Sequence, residues 1–370
     1  SPAPEGYQWE QTSAQIAERY GIAVDSVARF DLNTSPSPPA FAADILAGGR
    51  FVAPLSEYPP SDYRSLVEAA SERFGVPPAE ILVGAGADEV LDLCAKAFLR
   101  PGDVAVVPSP SYAMYPVLTE QREARVVSVP RLGADAGYAI DLAAVAEAAR
   151  AASLVWLCSP NNPTALPEPD GAIARLLATL AADATADGRL APVVVLDEAY
   201  AEFTGRSLLG SRSSYPRLVV VRTMSKAYAL AGIRVGFALA RREAIAAIEP
   251  YRPPGSVSVV SVSLAAAGLR DPATLEANVR RVTVERARLA RELAAAGWSV
   301  GPSATNFLLV DFGSAARSAG VADALFRRGL VPRTFGPAHP LVDHLRFTVR
   351  SPEEDDRLIE AARDVEAGGR

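Results

Sequence analysis

Histidine and cysteine are nearly absent from these 370 residues, with only two of each. His339 and His344 stand close together near the C-terminus, so a histidine-cluster metal centre or a histidine-based triad has almost nothing to be built from, and no metal is called for. Cys94 lies in an apolar helical pattern and Cys158 ends an apolar run. Both read as buried reduced thiols, and there is no disulfide framework. Lysine is equally scarce: only Lys96 and Lys226 occur, and the other 35 of the 37 basic residues are arginine. No apolar run approaches the roughly 18 residues of a membrane span. The opening SPAPEGYQWEQ has no basic stretch leading into an apolar one, so no signal peptide is visible. A soluble, cytoplasmic chain is expected. The net charge of −6 argues against a general nucleic-acid binder.

What is present is an ordinary globular composition, 49% hydrophobic and 22% charged, in a chain long enough for two domains. Short apolar runs at 81–85, 104–108, 124–130, 153–158, 191–197, 217–222 and 235–240 predict strands. Helical patterns at 87–99, 114–121 and 141–151 fall between them. Runs that are apolar throughout belong to strands buried on both faces, so the expectation is an α/β fold with a largely parallel sheet flanked by helices. Past the Pro/Gly-rich PYRPPGS at 250–256 the texture changes to long helical patterns over 261–296. Three strand candidates follow (SATNFLLVDF, GLVPRTF, HLRFTVR), then a last helix over 352–366. The predicted organisation is a large domain over 44–250, a smaller α+β domain over 251–370 and an N-terminal arm over 1–43. The arm holds a helix (QWEQTSAQIAERYG) and the proline-rich DLNTSPSPPA. With no strand of its own, it is expected to join the small domain or cover a cleft.

Chemistry concentrates at the ends of the predicted strands. Lys226 follows the apolar RLVVV and the hydroxyls of Thr223 and Ser225, a placement suited to a depressed pKa and Schiff-base chemistry. Arg234, eight residues on, offers a cation for an anion held near those hydroxyls. Asp197 ends VVVLD, with Tyr200 close behind, where doubly wound sheets bind ligands. Asn161 and Asn162 precede Pro163 after another apolar run, although turn chemistry alone accounts for them. GAGADE at 84–89 joins a strand to a helix whose first amides, at Ala87 and Asp88, are a ready phosphate seat. Tyr112 lies beyond yet another strand, where its ring can lie flat on a heterocycle or simply fill the core.

The order GAGADE, PSPSYAMYP, SPNNPTA, VVVLDEAY and TMSKAYALAGIRVG resembles the fold-type I pyridoxal-phosphate enzymes. Within them it is most similar to class I/II aminotransferases of the histidinol-phosphate aminotransferase type, from about Asp31 to the C-terminus. The resemblance implies that Lys226 holds the cofactor as an internal aldimine, that Asp197 pairs with the ring nitrogen, and that Tyr112 stacks on the ring. It places Tyr200 and Asn162 on the phenolic oxygen. It assigns the phosphate to the backbone of Ala87 and Asp88, to Thr223, Ser225 and Arg234, and to Tyr58 reaching over from the second subunit of a homodimer. HLRFTVRSPEED is similar to the family's LRITVG strand, whose arginine grips the substrate carboxylate; that lands on Arg346, with Arg333 as a second match. FDLNTSPSPP, with Asn33, resembles a segment that lines the substrate side. Three departures stand out: Thr34-Ser35 replace the family's second Asn-Glu, Ala165 replaces glycine, and Arg350 replaces glycine after TV.

The implied reaction is transamination between an L-amino acid, or an amine resembling one, and a 2-oxo acid. The same residues serve an O2-using oxidase or hydroxylase, or a decarboxylase, equally well, and the substituted arm motivates that second reading. Glu10, Glu18 and Asp25 on and after the arm helix would then close over a cationic substrate such as arginine. A catalytically dead binding domain is a third reading, which the presence of both Lys226 and Asp197 opposes.

Overall fold

Strand and helix alternate along the chain as the sequence pattern predicts. The structure, a computed structural model, describes residues 11–368. Its strands are β1 (Ala28–Arg29), β2 (Ile81–Gly84), β3 (Val104–Ser109), β4 (Arg125–Pro130), β5 (Leu154–Cys158) and β6 (Val193–Asp197). They continue with β7 (Leu218–Thr223), β8 (Gly236–Ala240), β9 (Ser299–Val300), β10 (Phe307–Asp311), β11 (Leu330–Val331) and β12 (His344–Thr348). The helices are α1 (Ser13–Tyr20), α2 (Ala40–Gly48), α3 (Arg64–Phe74), α4 (Gly86–Phe98), α5 (Met114–Glu120) and α6 (Leu142–Ala149). After them come α7 (Ala172–Ala186), α8 (Arg242–Ile248), α9 (Val259–Leu269), α10 (Pro272–Ala295), α11 (Ala315–Phe326) and α12 (Pro352–Gly368). Helices α2, α3, α7, α8 and α11 add to the expected set.

The main sheet has seven strands in the order β2-β8-β7-β6-β5-β3-β4. Strand β8 runs antiparallel to both neighbours, and the other pairs are parallel. Val106, Val155, Leu157, Val194 and Val220 enter the core on one face. Ala105, Val107, Trp156, Val195 and Val221 enter a second core on the other. Burial on both faces explains the unbroken apolar runs. Each fully buried valine or leucine contributes on the order of 1.5–3 kcal/mol.

A three-stranded antiparallel sheet, β12-β10-β9, carries a third core with Leu289, Leu293, Trp298, Leu308, Phe347 and Leu358. Helix α9, expected with this C-terminal unit, instead packs on the main core through Val262, Ala265 and Leu269. Leu275 and Val282 of α10 lie in that core too, whereas Leu289 and Leu293 lie in the third. The 24 residues of α10 make a rod about 36 Å long, enough to join the two. Packing therefore changes over within α10, not at the proline break.

The arm needs one correction. Residues 28–29 do form a strand, and β1 lies parallel to β11 through Ala28 and Leu330. Two residues are too few to show a period-two pattern. Thr12 caps α1 reciprocally with Gln15, and Tyr20 at its end stacks on Phe326 of α11, centroids 5.8 Å apart. The arm helix thus packs on the C-terminal unit. Glu18 and Asp25 do not line the cleft described next, and Glu10 lies outside the described residues.

Candidate active site

A cavity of about 370 Å³ opens at the carboxyl ends of the parallel strands, where doubly wound sheets place ligands. Ser111 and Tyr112 follow β3, Asn162 follows β5, Asp197 ends β6, and Lys226 follows β7. Ala87 and Asp88 open α4 on the same side. From the C-terminal unit, Arg333, Phe335, His339 and Arg346 complete the lining, and Asp31 to Thr34 close it from the arm.

Asp197 is 5% exposed. Its Oδ1 accepts the Ala199 amide at 2.9 Å and its Oδ2 accepts the Tyr115 hydroxyl at 2.9 Å. Burial pushes its pKa up to about 6, against those two hydrogen bonds. The amine of Lys226 donates to the Asn33 carbonyl at 3.2 Å and lies 5.6 Å from the centre of the Tyr200 ring. Burial, with Arg346 nearby, pulls its pKa down to about 8. The pair is an acid and a base whose environments move them toward neutrality from opposite sides.

The seat at α4 is built by backbone. Gly86 has φ +86°, and a Cβ there would stand 2.4 Å from the Arg234 guanidinium. A Cβ at Gly236 would stand 2.6 Å from the backbone of Gly86 and Ala87. Only glycine lets β8, α4 and Arg234 approach this closely. Arg234 donates to Asp88 at 3.0 Å and to the Ser225 hydroxyl at 3.4 Å. The Thr223 hydroxyl donates to Ser225 Oγ at 2.9 Å and also accepts the Ser225 amide at 3.1 Å. Tyr112 donates to Asp88 at 2.8 Å, and its ring meets Tyr115 edge-on at 5.6 Å.

On the other wall, Arg346 is 7% exposed and donates to Asn162 Oδ1 and to the Asp31 carbonyl, both at 2.5 Å. Asn162 thus ties the cofactor wall to the C-terminal unit. Arg333 exchanges backbone hydrogen bonds with Arg346, at 2.9 and 3.0 Å. Asn33 donates to the Tyr200 hydroxyl at 2.9 Å, and its carbonyl takes both Lys226 and Asn306. It anchors the arm across the site. The sequence-predicted residues therefore meet in one cleft, except Tyr58, which is 92% exposed and does not line it.

Residues 52–361 match the family of class I and II aminotransferases. The chain belongs to that family. Among its relatives is the histidinol-phosphate aminotransferase of Roseiflexus castenholzii, 38% identical over 361 residues, which are 95% of this chain and 92% of that one. The enzyme of the same name from Symbiobacterium thermophilum is 40% identical over 336 residues, 88% and 86% of the two chains. In structure, the histidinol-phosphate aminotransferase of Sinorhizobium meliloti, in complex with pyridoxal-5'-phosphate, superposes with a TM-score of 0.85 at 27% identity. That comparison covers 98% of this chain and 96% of that one.

The chain is therefore a fold-type I, pyridoxal-phosphate-dependent aminotransferase, and the oxidase and decarboxylase readings are not favoured. Its residues fit the cofactor: a buried carboxylate, a lysine with a lowered pKa, an aromatic ring and a glycine-built helix start stand around one cavity. Three side chains of the aminotransferase's site carry no role in the sequence reading: Tyr115, packed behind Asp197, and Phe335 and His339 in the lining. Tyr115 lies within the PSPSYAMYP motif, three residues past Tyr112, and that spacing is its signal in the sequence. Phe335 ends the predicted strand GLVPRTF, but that strand stops at Val331, so Phe335 and His339 both sit in the loop that follows.

Proposed function

We propose that this aminotransferase moves the amino group of histidinol phosphate, or of a closely similar amine, to a 2-oxo acid. The observation that carries this reading is the pairing of Arg333 and Arg346, locked backbone to backbone in the wall that shares the cleft with Lys226. Two guanidinium groups suit a phosphate in one half-reaction and a carboxylate in the other. The names of the relatives at 38% and 40% identity support the same donor.

Pyridoxal phosphate, when bound, supplies an electron-withdrawing ring that stabilises negative charge at the substrate carbon. Asp197, held by Tyr115 and the Ala199 amide, keeps a carboxylate for the ring nitrogen. The Ala87 and Asp88 amides, Thr223, Ser225 and Arg234 take the phosphate, Tyr112 the ring face, and Tyr200 and Asn162 the phenolic oxygen. Lys226 carries the cofactor and, once its amine is free, moves a proton from the substrate carbon, a role worth ~10²–10⁴-fold. A pKa near 8 leaves a usable fraction of free amine at neutral pH.

A homodimer accompanies this reading. Tyr58, 92% exposed, follows exposed Leu46, Val52 and Leu55 in the chain, and exposed apolar side chains of this kind suit a second copy. A cytoplasmic location is in keeping with a biosynthetic donor and two reduced cysteines. Among the described residues no helix is long and apolar enough to cross a membrane.

The test is direct assay of purified holoenzyme with histidinol phosphate and a panel of 2-oxo acids, beside aromatic and aliphatic L-amino acids. Turnover of histidinol phosphate at the highest kcat/KM is expected. Turnover of the amino acids alone would sink the donor assignment.

A further inference from the structure

Beyond Arg333, the loop that leads to β12 carries two rings into the cleft. Phe335 and His339 both line the cavity and stack on each other, with centroids 4.6 Å apart and planes 20° apart. Neither is buried, and neither belongs to the three cores. Packing alone therefore does not account for them.

The loop holds these rings in place. Its base is pinned where Arg333 and Arg346 exchange backbone hydrogen bonds. The His339 amide donates to the Gly336 carbonyl at 2.9 Å, and the Val342 amide donates to the His339 carbonyl at 3.0 Å. Leu341, two residues on, is 2% exposed and anchors the far end. The Leu341 amide also donates to His339 Nδ1 at 3.1 Å. A neutral imidazole whose Nδ1 accepts must carry its proton on Nε2. His339 is thus a hydrogen-bond donor of settled tautomer, and partial burial, with the nearby Arg333 and His344, lowers its pKa and so favours the neutral form.

We propose that Phe335 and His339 form the wall that selects the donor's side chain, receiving a flat ring and donating from His339 Nε2 to an acceptor atom in it. The ligand class is an amine whose side chain is a neutral heteroaromatic ring and whose other end is an anion. This rests on the donor reading above and extends it. Arg333, two residues before Phe335, lines the same cavity, so the proposed ligand carries its ring and its anion at opposite ends of a short chain. A straight alkyl side chain meets the same wall with nothing to stack and nothing to accept the proton.

Binding to the holoenzyme, measured by calorimetry, tests it with three phosphates that carry no amine: imidazolylpropyl, phenylpropyl and n-butyl phosphate. The wild type is expected to bind them in that order of affinity. His339→Phe keeps the stack and removes the donor. It is expected to weaken the imidazolyl ligand by up to about tenfold relative to the phenyl ligand, the size of one lost hydrogen bond. Phe335→Leu with His339→Ala is expected to erase the preference of both rings over n-butyl. An unchanged imidazolyl-to-phenyl ratio in His339→Phe overturns the proposal, as does an equal loss of all three ligands. Histidinol phosphate turnover is read separately. If it fails while ring selectivity is present and lost in the variants, the donor assignment falls and the wall stands; if turnover is high and selectivity is untouched, the wall falls.

Discussion

The Tyr115 hydroxyl donates to Asp197 Oδ2 at 2.9 Å, and both side chains are buried. Tyr115 is held in turn by Trp156, whose ring stacks on it at 5.3 Å and 6°. A donor aimed at a buried carboxylate favours the charged form, so its loss raises a pKa already near 6. Tyr115→Phe is expected to move the acidic limb of the kcat/KM profile upward. The loss of activity should be larger at pH 6.5 than at pH 8.5, by up to about tenfold, in line with one lost charge-assisted hydrogen bond. A profile lowered uniformly at every pH would show that Tyr115 acts by packing alone.

The same carboxylate costs the cofactor-free protein stability. Its folded pKa is raised above the unfolded value near 3.9, so the favourable contribution is complete below that value and lost as pH rises through about 6. Asp197→Asn removes the dependence. Stripped of cofactor, the variant should match wild type near pH 4 and exceed it by up to about 3 kcal/mol at pH 8. It should also bind pyridoxal phosphate far more weakly. Thermal melts of both apoproteins across pH check the first expectation, and cofactor titration the second; parallel melting curves would refute the linkage.

Asp197 and Lys226 were legible in the sequence because each sits just beyond a strand whose apolar run marks it, and a sheet's carboxyl edge follows from such runs alone. The main sheet was legible for the same reason. Contacts made by β12 were not: Arg346 reaches Asn162 and the Asp31 carbonyl, partners far apart in the chain, and only the packed C-terminal unit brings them together. Strand β1 was missed because two residues show no alternation. Phe335 reads as the end of a strand that in the fold stops at Val331, and His339, in a loop with no period, reads as incidental when taken alone.

Gly236 makes a packing prediction. A methyl group there must part β8 from the first turn of α4, since the atoms 2.6 Å away are backbone and cannot rotate aside. Gly236→Ala is expected to cost about 1–3 kcal/mol of stability, the range for overpacking. It should weaken cofactor binding as well, because the Ala87 and Asp88 amides move with the helix. Urea denaturation and cofactor titration read the two effects; full stability with normal cofactor affinity would contradict the geometry.

Lys226 sets the pH at which the enzyme takes up its cofactor. Its amine is buried and lies near the Arg346 and Arg234 charges, which together hold the pKa at about 8. Only the unprotonated amine attacks a carbonyl carbon. The rate at which apoenzyme couples to pyridoxal phosphate should therefore rise about tenfold per pH unit below that value and level off above it. Borohydride reduction followed by peptide mapping should find the pyridoxyl group on Lys226 and not on Lys96, which is occupied with Asp92 at 2.6 Å. Arg346→Gln removes one of the cations that lower the pKa, so its midpoint should move upward. A midpoint unmoved in Arg346→Gln would mean that burial alone depresses the amine.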